Sequence, residues 1–232
     1  MLFLQLLFLV LALNTYEVSS ISGNGVETNT DWNWVVGIKV GSHVYPGVLV
    51  RENWVLTSKH IFDGVAMDSV SVSPFNPHLP KGKGVRVINF SDHRYDLALL
   101  QLESELNVVP IILPKTAMPD AKAATMCHVG SWNAKQPGLS WRAVSARVRL
   151  VDNKRCNTFK PDQHTFCASA NVTDTTFCQG DSGGPLYCEV NKEWVLFGVA
   201  SRGVCNNPSI PTIFSSVYDQ LKWLDCQTEK ND

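Results

Sequence analysis

Past residue 20 the chain alternates short apolar runs with polar breaks. Runs rich in Val, Ile, Leu and Trp occupy residues 34–40, 48–56, 85–90, 97–102, 144–151 and 194–200. Each has the length and β-branched content of a strand. Turn signals separate them: Pro46-Gly47, residues 80–84 and Asn191-Lys192. A helical period is clearest at residues 217–226, where Val217, Leu221 and Leu224 fall near one face. Many short strands with one terminal helix predict an all-β sandwich or barrel. Residues 110–114 and 119–124 read as a connection between two β halves. No repeat of fixed period stands out.

The first run is different. Residues 1–13 are apolar except for Gln5. That is too short for a bilayer span, which needs ~20 residues. The run reads as the apolar region of a secretory signal peptide, with Val18-Ser19-Ser20 as the cleavage motif and the cut after Ser20. The predicted division is therefore a signal peptide at 1–20 and one domain at 21–232. No later run is long enough to anchor the chain in a membrane.

Composition narrows the function. The 232 residues are 44% hydrophobic and carry a net charge of −1. That is too apolar and too neutral for a disordered chain, and it provides no electrostatic case for nucleic acid. Glu17 is the one charged side chain before Ile21, so the rest balances 20 basic against 20 acidic residues. All seven cysteines lie beyond Ser20, in the part expected outside the cell, where disulfides persist.

Three segments carry candidate chemistry: Val55-Leu56-Thr57-Ser58-Lys59-His60, Tyr95-Asp96-Leu97-Ala98-Leu99-Leu100, and Cys178-Gln179-Gly180-Asp181-Ser182-Gly183-Gly184-Pro185. Glycines on both sides of Ser182 leave its hydroxyl open and let backbone amides point into a site. A hydroxyl needs a base at neutral pH, and histidine is the natural one. An aspartate ahead of an apolar strand can fix the imidazole tautomer.

Together these segments resemble the trypsin/chymotrypsin-like serine protease family, from Ile21 to the tail. The strings Gly-Asp-Ser-Gly-Gly-Pro and Trp-Val-Leu-Thr are specific matches, and the order His, Asp, Ser fits. The resemblance implies two six-stranded antiparallel β-barrels, a C-terminal helix and an active site in the cleft between the barrels. It implies catalysis by His60, Asp96 and Ser182, with the N–H groups of Gly180 and Ser182 as the oxyanion hole. Ser201 resembles the serine that supports the buried aspartate. Ile21 resembles the new N-terminus that pairs with Asp181 on activation, and His43 the residue that holds Asp181 beforehand. Residues 1–20 contain no Lys or Arg, so a trypsin-like activator has no site there. Cleavage after Ser20 by signal peptidase itself is expected to expose Ile21. The same resemblance implies the disulfides Cys127–Cys188, Cys156–Cys167 and Cys178–Cys205. The pair beside the histidine is missing, with Tyr45 and Ile61 in its place. Cys226 is left over, either as a thiol or in an intermolecular bridge.

The substrate pocket maps to Thr176, Phe177, Ser201, Arg202, Gly203 and Thr212. None of Thr176, Thr212 and Gly203 is charged, so a preference for Lys or Arg is rejected. Phe177 either narrows the pocket, favouring small or medium apolar P1 side chains, or packs outward and leaves it deep. Arg202 favours acidic residues further along the substrate or obstructs that surface. Lys59 either acts on the His60 charge or tips into solvent.

The expected function is a secreted serine endopeptidase acting through an acyl-enzyme, extracellular or stored in secretory granules. The alternative is a pseudoprotease, a secreted binding module with little turnover. Expected partners are polypeptide substrates and protein protease inhibitors. No nucleic acid, membrane anchor, cofactor or metal is implied, and a monomer is expected, with Cys226 leaving a disulfide dimer open. The sequons at Asn89 and Asn171 are candidate glycosylation sites.

Overall fold

The computed structural model describes residues 21, 26–27, 33–74, 84–118, 127–133, 142–156, 161–169, 177–204, 207 and 209–229. The expected signal peptide lies outside these residues. So do Thr176, Asn171, Cys205 and the second half of the predicted connection.

Two closed six-stranded antiparallel barrels make up the fold. The first is formed by β2 (Val35–Val40), β3 (His43–Arg51), β4 (Trp54–Thr57), β5 (Ser71–Pro74), β6 (Val85–His93) and β7 (Leu97–Leu102). Its ring runs β2-β3-β4-β7-β6-β5 and closes through β2 and β5, with Val36 opposite Pro74 and Ile38 opposite Val72. The second contains β8 (Cys127–Asn133), β9 (Arg142–Val151), β10 (Thr165–Ser169), β11 (Pro185–Val190), β12 (Glu193–Arg202) and β13 (Thr212–Ser216). Its sheet runs β9-β10-β13-β12-β11-β8 and closes where β8 pairs with β9. A two-residue strand, β1 (Val26–Glu27), adds to the outside edge of β9. The helix α1 (Leu221–Thr228) follows a 3₁₀ turn at Tyr218–Gln220.

The strongest apolar runs are strands buried on both faces. Along β7, Ala98, Leu100 and Leu102 fill the first barrel. Leu97 and Leu99 point the other way, into a layer shared with Tyr187, Leu196 and Val199 of the second barrel. A strand with two buried faces loses its polar alternation and reads as a continuous run. The same alternation operates in β4, where Val55 lies in the barrel core and Trp54 and Leu56 lie between barrels.

Two expectations are corrected. The single run at 48–56 is two strands, β3 and β4, with a turn at Glu52-Asn53 between them. Pro46-Gly47, expected as a turn, lies inside β3, paired with Gly37 and Val36. Glycine is required there by close packing: a Cβ on Gly47 would come within 2.6 Å of Ile38 and 2.8 Å of Val55. The Asn191-Lys192 turn is present and joins β11 to β12, with both residues at positive φ, 53° and 69°. Residues 110–114 do connect the halves. The Ile111 N–H donates to Leu49 O in the first barrel at 3.0 Å, and the Leu196 N–H of the second donates to Ile112 O at 2.9 Å.

Candidate active site

His60 sits on a 3₁₀ turn, Lys59–Phe62, immediately after β4. Asp96 occupies the tight turn between β6 and β7, at a φ of 56°. Left-handed backbone is costly for a residue with a Cβ, and surrounding contacts hold it in place. The Lys59 N–H donates to Asp96 O at 3.3 Å, and the Ser215 hydroxyl donates to Tyr95 O at 2.6 Å. Ser182 comes from the other barrel, at the end of a 3₁₀ turn formed by Gln179–Asp181.

These three side chains form one hydrogen-bonded line. His60 Nε2 is 2.9 Å from Ser182 Oγ. His60 Nδ1 is 2.8 Å from Asp96 Oδ2 and 3.0 Å from Oδ1. The His60 backbone N–H adds a further bond to Asp96 Oδ1 at 3.0 Å, and the Ser201 hydroxyl donates to Oδ2 at 2.5 Å. Burial alone pushes the Asp96 carboxyl up, but the bonds from His60 and Ser201 outweigh it and hold it below the ordinary carboxylate range. Asp96 therefore stays ionised at neutral pH, where it can orient an imidazole and stabilise its cation.

The backbone around Ser182 admits only glycine at two points. Gly183 has a φ of 88°, and a Cβ there would collide with the Thr57 side chain and come within 2.5 Å of Pro46 O. A Cβ on Gly184 would collide with Gly130 O. The turn is thus pressed against both barrels, with Gly180 buried in it. The Gly183 N–H is spent on Ala200 O at 2.9 Å and the Gly184 N–H on Asp181 O at 3.0 Å.

Asp181 is buried. The nitrogen of Ile21, itself fully buried, donates to Asp181 Oδ1 at 2.9 Å. The Cys178 N–H donates to Oδ2 at 2.7 Å, and the Ser131 hydroxyl also donates to Oδ1. Burial pushes the Asp181 carboxyl up to about 7, against the opposing pull of these donors. His43, expected to hold this aspartate before activation, here lies against the Tyr45 ring, 6.1 Å between centroids.

An open cleft of about 910 Å³ runs past His60, Ser182 and Arg202. Beside Ser182 a much smaller cavity of about 10 Å³ is lined by Phe177, Gly203 and Thr212 among others. Phe177 is buried, with its ring edge-on to Phe214 of the second-barrel core at 6.2 Å. It both joins that core and walls the cavity. Arg202 and Arg94 are exposed and line the cleft, and the two also line a neighbouring cavity of about 90 Å³. The Arg94 guanidinium lies 4.6 Å over the Tyr95 ring. Lys59 turns to Asp92, Nζ to Oδ2 at 2.5 Å, and that carboxylate raises the lysine's pKa.

Cys127–Cys188 and Cys156–Cys167 are bridged. Cys178 is disulfide-bonded, and its expected partner lies outside the described residues. Cys226 is an exposed free thiol. Tyr45 and Ile61, standing where a bridge was absent, pack into the first-barrel core instead. Sequence reasoning gave no role to Ser58, Ser131, Ser215 or Arg94. Ser58 donates to Ala200 O across the barrels at 2.5 Å. Serines bonded to residues remote in sequence leave no local pattern by which to find them.

The family model described as Trypsin matches residues 21–224. Among curated proteins, the chain is 31% identical to Transmembrane protease serine 9 of Rattus norvegicus, in an alignment covering 89% of this chain. It spans 22% of that relative's length. Among the described residues, no helix is long and apolar enough to cross a membrane.

Proposed function

This chain belongs to the trypsin family, and from that premise we propose that it is a serine endopeptidase whose catalytic residues are His60, Asp96 and Ser182. The observation that carries the proposal is the unbroken line from Asp96 through His60 to Ser182 Oγ. Ser182 attacks the peptide carbonyl while His60 Nε2 takes its proton. His60 then hands the proton to the leaving amine, and Asp96 stabilises the imidazolium. Water repeats the sequence on the acyl-enzyme. The N–H groups of Gly180 and Ser182 receive the oxyanion, a role in which one lost donor costs ~3–4 kcal/mol.

In this reading residues 1–20 direct secretion, and their removal leaves Ile21 as an α-ammonium facing Asp181. The upward pressure on the Asp181 carboxyl in the chain with an amide at Ile21 supports a stabilising contribution from that positive charge. The mature enzyme works as a monomer outside the cell, open to glycosylation at Asn89 and Asn171. Exposure of Asn89 on β6 supports the first of these.

The lining of the cleft supports a reading of the substrate class. The cavity beside Ser182 is about 10 Å³ and walled by Phe177 and Thr212, which supports small or medium apolar P1 side chains. Arg94 and Arg202 support selection of acidic side chains on the amino-terminal side of the scissile bond. A peptide-library cleavage profile tests this. The expected result is small apolar residues at P1, acidic residues enriched upstream, and no cleavage by Ser182→Ala. Cleavage after Lys or Arg would overturn the pocket assignment. A correctly processed protein that cleaves no peptide would favour a binding module instead.

A further inference from the structure

The anchoring of Asp181 is divided among donors of different origin. Oδ2 receives the Cys178 N–H, from three residues away at 2.7 Å. Oδ1 receives two donors: the nitrogen of Ile21, 160 residues away at 2.9 Å, and the Ser131 hydroxyl, 50 residues away. Ser131 is fully buried. Its position is fixed by the pairing of β8 with β9, where it lies opposite Val144. Its neighbour Gly130 presses directly on Gly184, so β8 is packed on the nucleophile turn independently of the chain's beginning. Among the described residues, no charged side chain acts on Asp181. Without both Ile21 and Ser131, a carboxylate buried on the Cys178 N–H alone is a poorly satisfied anion that protonates or moves out. The neighbouring amides of Gly180 and Ser182 move with it.

We infer that Ser131 is a positioning residue, a permanent second anchor that holds Asp181 and the Gly180–Ser182 turn in working geometry whether or not Ile21 carries a free ammonium. This inference rests on the protease reading above. It predicts measurable activity in the chain before any cut at Ile21. A hydroxyl bonded to a carboxylate favours the ionised form. It contributes most where no cation does the same work.

The test compares the full chain with the form beginning at Ile21, each as wild type, Ser131→Ala and Ser131→Thr. Circular dichroism first establishes that all six proteins fold. The expected result is that Ser131→Ala lowers kcat/KM of the full chain about tenfold or more, mainly in kcat, and of the Ile21 form by less than about threefold. Ser131→Thr, which keeps the hydroxyl, recovers most of the loss. Equal losses in the two forms, or no loss in either, would overturn the inference. If no wild-type form turns over substrate, the protease reading fails by itself. The inference is then decided by the titration of the Asp181 carboxyl carbon followed by NMR in the full chain. Its midpoint rises in Ser131→Ala if Ser131 is an anchor; an unchanged midpoint removes the role.

Discussion

Asp181 sets the clearest residue-scale consequence. In the full chain burial pushes its carboxyl up to about 7, against 3.8 for an ordinary aspartate. The folded state therefore holds a proton that the unfolded state releases between these values. Stability falls as pH rises from about 4 to about 7 in that form. With an ammonium at Ile21 the buried carboxylate gains an opposite charge and stays ionised, so the fall between about pH 4 and pH 7 should disappear. Melting temperatures at pH 5 and pH 7.5 for the two forms check this; parallel pH dependences would contradict it. Asp96 behaves oppositely, because the bonds from His60 and Ser201 keep it ionised. Asp96→Asn removes the charge and misorients the imidazole, so kcat should drop ~10⁴-fold with little change in fold. His60, Asp96 and Ser182 were legible in the sequence, since each sits in a short local string. Ser131 was not, because its role exists only once β8 meets a turn fifty residues further on.

At the level of elements, legibility followed burial. Strands β7 and β12 are buried on both faces and stand out as apolar runs. Strands β5 and β13 are Ser71–Pro74 and Thr212–Ser216. Their serines dilute the apolar signal, yet Ser215 and Ser216 are buried, with Ser215 bonded to the backbone beside Asp96. Leu99 is fully buried between the barrels, and Leu99→Ala should cost ~2–5 kcal/mol in denaturant unfolding. The β11–β12 turn offers a change of opposite sign. Lys192 has a φ of 69°, which costs ~1–2 kcal/mol for a residue with a Cβ. Lys192→Gly should therefore raise stability by about 1 kcal/mol and leave activity unchanged; a lower melting point would show that the lysine side chain matters more than its backbone.

On the scale of the whole molecule, the site is a product of docking. Barrel one supplies His60 and Asp96, barrel two supplies Ser182 and Ser201, and bonds such as Ser58 to Ala200 tie the two together. The near-zero net charge leaves substrate selection to local groups. Charge on the Arg94 and Arg202 surface should matter, while Lys59 is already committed to Asp92. Arg94→Ala with Arg202→Ala should abolish the preference for acidic peptides and leave cleavage of neutral ones within about threefold, as read by kcat/KM on matched substrates. The central claim is that Ser182 is an activated nucleophile. Fluorophosphonate labelling of the form beginning at Ile21, followed by peptide mapping, tests it most directly. About one equivalent on Ser182 is expected, lost in His60→Ala and in Ser182→Ala. A folded, correctly processed sample that takes up no label at Ser182 would contradict it.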